Sequence, residues 1–306
     1  MSFKKKHILD MASLCVDEVN IILNTAEMMK EISKRHIKKV PTLRGKTIVL
    51  FFYEPSTRTR TSFDIATKRL SGDSISISAN SSSIVKGETL IDTARNIEAM
   101  NCDIIVLRHP CSGAPHMLAK LLKNTSVINA GDGMHAHPSQ SLLDLMTVKE
   151  NKGSIKGLRV AIIGDIAHSR VAMSNITGFT KMGADVIVAG PPTMIPSGIE
   201  TFGVSVTYNI DEAICSADVI IMLRIQKERQ EDFFFPTERE YSKVYGLTNK
   251  RLEKISKDAI IMHPGPINKG LEISAEAAEC FQTRILNQVT NGVAVRMALL
   301  YLVAGG

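Results

Sequence analysis

The stretch TIVLFFYEPSTRTRTSFD, residues 47–64, decides the fold. Its first six residues are β-branched, aliphatic or aromatic, the content of a buried strand. Pro55 breaks the run, and Ser56-Thr57 stand where a helix N-cap is expected. A helix is predicted over 58–70. A buried strand feeding directly into a helix is half of a βαβ unit. Capping accounts for the serine and threonine, and an i,i+4 pair with Asp64 accounts for Arg60. Neither accounts for Arg58. A helix N-terminus carries partial positive charge, so a cation there is placed against the field. Arg58 therefore reads as a guanidinium fork for an anion seated on the helix start.

The same alternation continues on both sides. Residues 14–34 read as a helix with Leu14, Val19, Ile22, Leu23 and Ala26 on one side. Strands are expected at 74–78, 103–108 and 126–130, with helices at 88–99 and 115–123 between them. A helix at 139–150 leads into NKGSIKG (151–157), a hinge. A second series follows, with strands at 159–165, 184–190, 205–208, 218–223 and 259–266. The charge-rich segment 225–250 reads as a long loop, and loops of that length inside compact domains are usually functional. The last element, about 283–303, is a helix whose middle is weakened by Gly292 and whose apolar face returns to the first domain. The expected fold class is α/β: two Rossmann-like domains with parallel sheets, linked by two interdomain helices. Residues 1–135 plus 285–306 form one domain in this reading, and 136–284 the other. Two domains suit 306 residues.

Composition narrows the function. Lys plus Arg number 37 against 31 Asp plus Glu, a formal charge of +6, with no concentrated basic tail. There is no Trp and aromatics are 5%, so nucleic-acid binding lacks its usual platform. No apolar run approaches bilayer length, and the basic N-terminus is followed by no apolar core because Asp10 interrupts, so neither a membrane span nor a signal peptide is expected. The five cysteines are scattered without a C-x-x-C pair, which fits a reduced, cytoplasmic protein. Cys102 and Cys215 read as small core residues. RGKT (44–47) lacks the earlier glycine of a phosphate-cradling loop, and the chain after strand 159–165 has one glycine where a dinucleotide fingerprint needs three. A nicotinamide enzyme is therefore disfavoured. A non-catalytic anion-binding subunit stays open at this level.

Polar residues gather at strand ends, where open α/β sheets hold ligands. Ser56, Thr57 and Thr59 supply hydroxyls beside Arg58. Arg108 in LRHP (107–110) closes a strand. GDGMHAHPSQSLLDL (131–145) carries Asp132, His135, His137 and Gln140 into a helix. His-x-His with Asp132 hints at a metal, but the i,i+2 spacing before Pro138 offers no clear third and fourth ligand, so no metal is expected. A neutral His with Gln one turn on suits hydrogen bonding to a carbonyl and an amide. SSSIVKGET (81–89) is a serine-rich loop with Lys86 and Gly87, solvated on its own evidence. Arg170 and Arg224, with Gln226, each follow a strand of the second domain and suit a dicarboxylate, one fork per carboxylate. HPGP (263–266) offers backbone carbonyls to an NH₂ group.

Together STRTR, VKGET, LRHP, HPSQ and HPGP, in this order and with GVAVRMALLY in the last helix, resemble the carbamoyltransferase family, specifically its branch with an acidic acceptor. The resemblance implies transfer of a carbamoyl group from carbamoyl phosphate to the α-amine of L-aspartate, a step of pyrimidine biosynthesis, with no cofactor. It implies that Ser56, Thr57, Arg58 and Thr59 hold the phosphate, and that Arg108, His137 and Thr59 meet the carbonyl oxygen. Gln140 and the carbonyls of Pro264 and Gly265 would hold the carbamoyl NH₂. Arg170, Arg224 and Gln226 would bind aspartate. Ser82 and Lys86 would reach a neighbouring subunit's site in a homotrimer, Lys86 touching both substrates, and 225–250 would close over aspartate. Two departures stand out: Val85 replaces a basic residue often seen before the loop lysine, and GPIN replaces Leu-Pro-Arg after His263. The HCLP and SMG motifs of ornithine-specific relatives are absent. HPGPINKG is similar to relatives that associate with dihydroorotase, and regulatory chains are the other partner the family implies.

Overall fold

A computed structural model describes residues 3–78, 87–225 and 237–305. The chain forms two compact units, Met1–Leu143 with Thr290–Gly306, and Asp144–Val289. Both divisions fall inside helices, Pro138–Lys152 and Ile285–Val303.

The first unit runs α1 (Val16–Lys34), β1 (Thr47–Phe52), α2 (Thr57–Arg69), β2 (Asp73–Ser78), α3 (Leu90–Ala99), β3 (Ile104–His109), α4 (Ala114–Leu121), β4 (Ser126–Asp132) and the start of α5 (Pro138–Lys152). Its sheet has the order β2-β1-β3-β4 and every pairing is parallel. The stretch 47–64 folds as expected: β1 buries Ile48 through Phe52, and α2 begins at Thr57. Phe51, Ile105, Leu107, Leu118 and Val127 form one apolar cluster on a face of this sheet. α1 buries Val19, Ile22, Leu23 and Ala26, the stripe anticipated from its periodicity.

The second unit runs β5 (Arg159–Ile163), α6 (Arg170–Lys181), β6 (Asp185–Ala189), β7 (Ser205–Thr207), α7 (Ile210–Cys215), β8 (Val219–Met222), α8 (Glu238–Tyr245), α9 (Asn249–Leu252), β9 (Ile260–Met262), α10 (Ala275–Glu279) and into α11 (Ile285–Val303). Its sheet, β7-β6-β5-β8-β9, is also wholly parallel. Purely parallel sheets need cover on both faces, and β8 and β9 are accordingly buried throughout.

Three expectations need correction. The segment 225–250 is not a loop throughout, because α8 and α9 occupy part of it. Thr237 caps α8 by accepting from Glu240 N–H, and one large residue, Tyr241, is buried in an otherwise charged turn. That single anchor is easily hidden by charge-rich composition. β9 ends at Met262 rather than 266, since Pro264 and Pro266 bring no N–H to a ladder. Cys102 is buried, but Cys215 is exposed at the end of α7.

The mid-helix glycine has a packing reason. A Cβ at Gly292 would lie 2.5 Å from Arg296 Nη1. The missing side chain leaves room for that guanidinium, which stands 5.2 Å from the centroid of the Phe63 ring. Among the described residues, no helix is long and apolar enough to cross a membrane.

Candidate functional site

In the first sheet the chain moves from β1 outward to β2 and from β3 outward to β4, in opposite directions. The loops after β1 and β3 therefore diverge at a topological switch point, where open α/β sheets leave a ligand crevice. The stretch 53–59 follows β1. Ser56 occupies the N-cap position of α2, yet its side chain makes no capping hydrogen bond. Thr89, Ser169, Asn209, Thr237 and Ser274 all cap their helices by accepting a backbone N–H two or three residues on. Ser56, like Thr248 before the short α9, thus departs from the use most such residues have here. The first turn of α2 holds no carboxylate, and Thr57 and Arg58 are exposed there while Thr59 is buried. A helix N-terminus, hydroxyls and a guanidinium in one turn are chemistry suited to an anion.

The expected Arg60–Asp64 pair gives way to another. Asp64 instead bonds Lys68 Nζ at 2.7 Å. An acidic residue four positions before a basic one matches the helix dipole, whereas the reverse order opposes it.

Arg108 closes β3. The β3–β4 register shifts between Leu107 and His109, so Arg108 sits at the irregularity, where a strand re-aims its side chains. Its Nε lies 3.1 Å from Glu54 Oε2, and Nη1 donates to Ala130 O at 3.3 Å. Glu54, which motif reading passed over, therefore orients Arg108 from the loop after β1. Beside it, burial lowers the His109 pKa more than Cys111, Glu54 and Asp132 raise it, and its Nδ1 accepts the Cys111 N–H at 3.0 Å. Burial, and then the Glu88 carboxylate, push the Tyr53 phenol up to about 12.

The loop from β4 to α5 is organised around Asp132, which is fully buried. Its Oδ1 accepts from Asn129 Nδ2 at 2.7 Å and Ala136 N at 3.1 Å, and its Oδ2 accepts from Gly113 N at 2.7 Å. This turn delivers His137, buried, to the start of α5, and Gln140 N donates to the His137 carbonyl at 3.0 Å. His137 and Gln140 are thus one helical turn apart, as anticipated.

The second unit repeats the logic. Its order places the switch point between β5 and β8. After β5, Asp165 Oδ1 accepts from His168 N at 3.1 Å and Ser169 caps α6, whose first residue is the buried Arg170. Arg224 lies two residues beyond β8. Both sequence-predicted arginines therefore leave the two strands that flank the switch point. Pro264 and Gly265 follow the edge strand β9. Gly265 N–H turns inward to His263 Nδ1 at 2.8 Å, and His263 Nε2 lies 3.2 Å from Glu272 Oε1. His263 N–H donates to Gln288 Oε1 at 3.0 Å, while Gln288 Nε2 donates to Asp144 Oδ1 at 2.7 Å. Asn175 Nδ2 donates to Asp144 Oδ2 at 2.8 Å. This buried chain of bonds, invisible to motif reading, fixes the root of the 264–265 turn. Ser82, Val85, Lys86 and Gln226 lie outside the described residues.

Comparison with known proteins bears on both units. Residues 6–150 match the family model for the carbamoyl-phosphate-binding domain of aspartate/ornithine carbamoyltransferases, and residues 156–303 match the model for the aspartate/ornithine-binding domain. A curated protein of Desulforapulum autotrophicum, named aspartate carbamoyltransferase catalytic subunit, is 68% identical over 306 residues, covering 100% of this chain and 98% of that protein. The structure of Trypanosoma cruzi aspartate transcarbamoylase in complex with carbamoyl phosphate and aspartate aligns with a TM-score of 0.87 at 28% identity, covering 98% of this chain and 97% of that one. Ornithine carbamoyltransferase from Pyrococcus furiosus aligns with a TM-score of 0.88 at 30% identity, covering 100% and 99%. The two-sheet parallel architecture and both matched domains agree, and the chain belongs to the aspartate/ornithine carbamoyltransferase family.

Proposed function

We propose that this chain is an enzyme transferring the carbamoyl group of carbamoyl phosphate to the α-amine of L-aspartate, yielding N-carbamoyl-L-aspartate and phosphate for pyrimidine biosynthesis. The observation that carries the reading is the placement of guanidinium groups beside both switch points: Arg58 and Arg108 in one unit, Arg170 and Arg224 in the other. The fold itself does not choose the acceptor, since aspartate and ornithine enzymes align almost equally well. Two arginines choose it: a dicarboxylate offers each a partner, and a cationic acceptor would be repelled. The name of the Desulforapulum relative agrees.

The first unit takes carbamoyl phosphate, with Ser56, Thr57, Arg58 and Thr59 on the phosphate. Arg108, held by Glu54, joins His137 and Thr59 at the carbonyl oxygen. That oxygen gains charge as the amine attacks, so donors aimed at it favour the transition state over the ground state. Gln140 and the carbonyls of Pro264 and Gly265 hold the carbamoyl NH₂. The second unit takes aspartate through Arg170, Arg224 and Gln226. The attacking amine forms the new C–N bond, the C–O bond to phosphate breaks, and the departing phosphate, its charge met by Arg58, accepts the amine proton. Holding two anions together against their repulsion is the main energetic task. Product formation from the two substrates tests the reading. Carbamoyl-aspartate should accumulate with aspartate and not with ornithine, and turnover with ornithine alone would reject the assignment.

We also place the chain in a reducing, cytoplasmic compartment, as a homotrimer in which Ser82 and Lys86 complete a neighbour's site. Mixing an inactive Lys86→Ala chain with an inactive Arg58→Ala chain should then restore activity in hybrid trimers. A mixture that stays inactive despite demonstrated subunit exchange would refute shared sites.

A further inference from the structure

The geometry points to a metal-ion site formed by His116, Asp132 and His135, taking a divalent first-row transition ion such as Co²⁺ or Zn²⁺. The pair His135–His137 lacked further ligands in the sequence. The fold supplies the missing one from α4, and it is not His137, which is buried at the start of α5. One ligand atom from each of His116, Asp132 and His135 lies within 4.8 Å of the others. Two imidazoles and a carboxylate form a donor set suited to late first-row ions.

Three features prepare the site. His116 Nε2 lies 2.6 Å from Asp10 Oδ2. A carboxylate there holds the proton on Nε2 and leaves Nδ1 as the lone-pair nitrogen, the carboxylate–histidine arrangement that orients metal ligands. Nδ1 is buried and has no hydrogen-bond partner among the described residues. Asp132 is fixed from behind by Asn129 and Ala136, which bond its Oδ1. Its Oδ2 accepts from Gly113 N and lies 3.0 Å from His135 Nδ1, so the His135 ring already stands at the carboxylate. The rings of His116 and His135 meet edge to face at 5.4 Å.

Tetrahedral coordination at about 2.0–2.1 Å separates ligand atoms by roughly 3.4 Å, so the cluster must contract by on the order of 1 Å. His135, whose side chain is 44% exposed, can rotate to do this and leaves a fourth position open to water. The start of α4 alone would oppose a cation, but the Asp132 carboxylate on Gly113 N–H offsets that field. A bound ion would clip α4 to the turn that precedes His137, stiffening a catalytic loop without touching substrate.

Titration of the full chain with Co²⁺ alone, followed by visible absorption and calorimetry, tests this. One ion per chain should bind without a thiolate charge-transfer band. Near 100-fold excess over Kd, the ion should raise the melting temperature by roughly 5–10 °C. Asp10→Asn should weaken binding about 10–100-fold. His116→Gln and His135→Gln should each weaken it at least as much. His135→Gln alters a half-exposed ring, so it reports on the ligand even if His116→Gln folds poorly. No stoichiometric binding, a thiolate band, or affinity unchanged in His135→Gln would overturn the proposal.

Discussion

Arg58→Ala lowers turnover roughly 10²–10³-fold, about 3–4 kcal/mol of transition-state stabilisation, while leaving the fold intact. The two halves of this result have different physical sources. Arg58 is exposed in the first turn of α2, and that turn contains no carboxylate. In the absence of an anion its charge opposes the helix dipole by roughly 0.3–1 kcal/mol, and Ala is the better helix former. Arg58 is exposed, so its replacement should leave the chain folded, with a melting temperature within a few degrees of the parent. Activity falls on the proposed reading, because the leaving phosphate loses the guanidinium assigned to its developing charge. Arg58→Lys should fall between the two, since an ammonium restores charge but not the planar fork. Steady-state kinetics and a thermal melt on the same preparations check both halves. Near-parental turnover in a folded Arg58→Ala chain would remove the phosphate site from α2.

Much of this architecture was readable in the residues, and what escaped shares a cause. β1 falls on TIVLFF because β-branched and aromatic residues mark a buried strand, and α2 begins where Ser56-Thr57 announced it. These signals are local. Strand order is not. No periodicity states that β1 lies between β2 and β3, or β5 between β6 and β8. Yet that order converts scattered arginines into groups beside two switch points. Glu54 carries no motif, and its role emerges only when parallel pairing sets Phe52 opposite Arg108. His116 and Asp10 stand 106 positions apart and meet only through the fold. Charge-rich composition hid α8, whose buried face rests on one tyrosine. Ser56 was legible as a cap and is not used as one, a local rule broken at a candidate functional site.

Gly133→Ala should damage both stability and catalysis, although Gly133 contributes no chemical group. It sits in the turn after β4 at φ +47°, in the left-handed region that disfavours a side chain. A Cβ there would collide with Ser112 Oγ and stand 2.7 Å from Ser112 N and 2.9 Å from Pro110 O. The hydroxyl can rotate away, but the two backbone atoms cannot move alone. Left-handed strain of about 1–2 kcal/mol adds to overpacking of about 1–3 kcal/mol. A loss of roughly 2–5 kcal/mol should lower the melting temperature by on the order of 5–15 °C. Relief of the clash pushes the 132–137 turn away from the loop after β3, to which Gly133 N is tied through the His109 carbonyl at 2.9 Å. His137 and Gln140 then leave their positions at the head of α5, and turnover should fall by about 10²-fold even below the melting transition, as a misplacement near 1 Å can do. Gly113→Ala is the matched control. Gly113 has φ +83°, but a Cβ there meets nothing within 4 Å. It carries only the strain, about 1–2 kcal/mol, and should keep most of its turnover. If both variants lost activity equally, close backbone packing at Gly133 would not be what aims His137. If Gly133→Ala alone loses it, the tight contact between the loops after β3 and β4 is what holds Arg108 and His137, the groups proposed to polarise the carbonyl, in register.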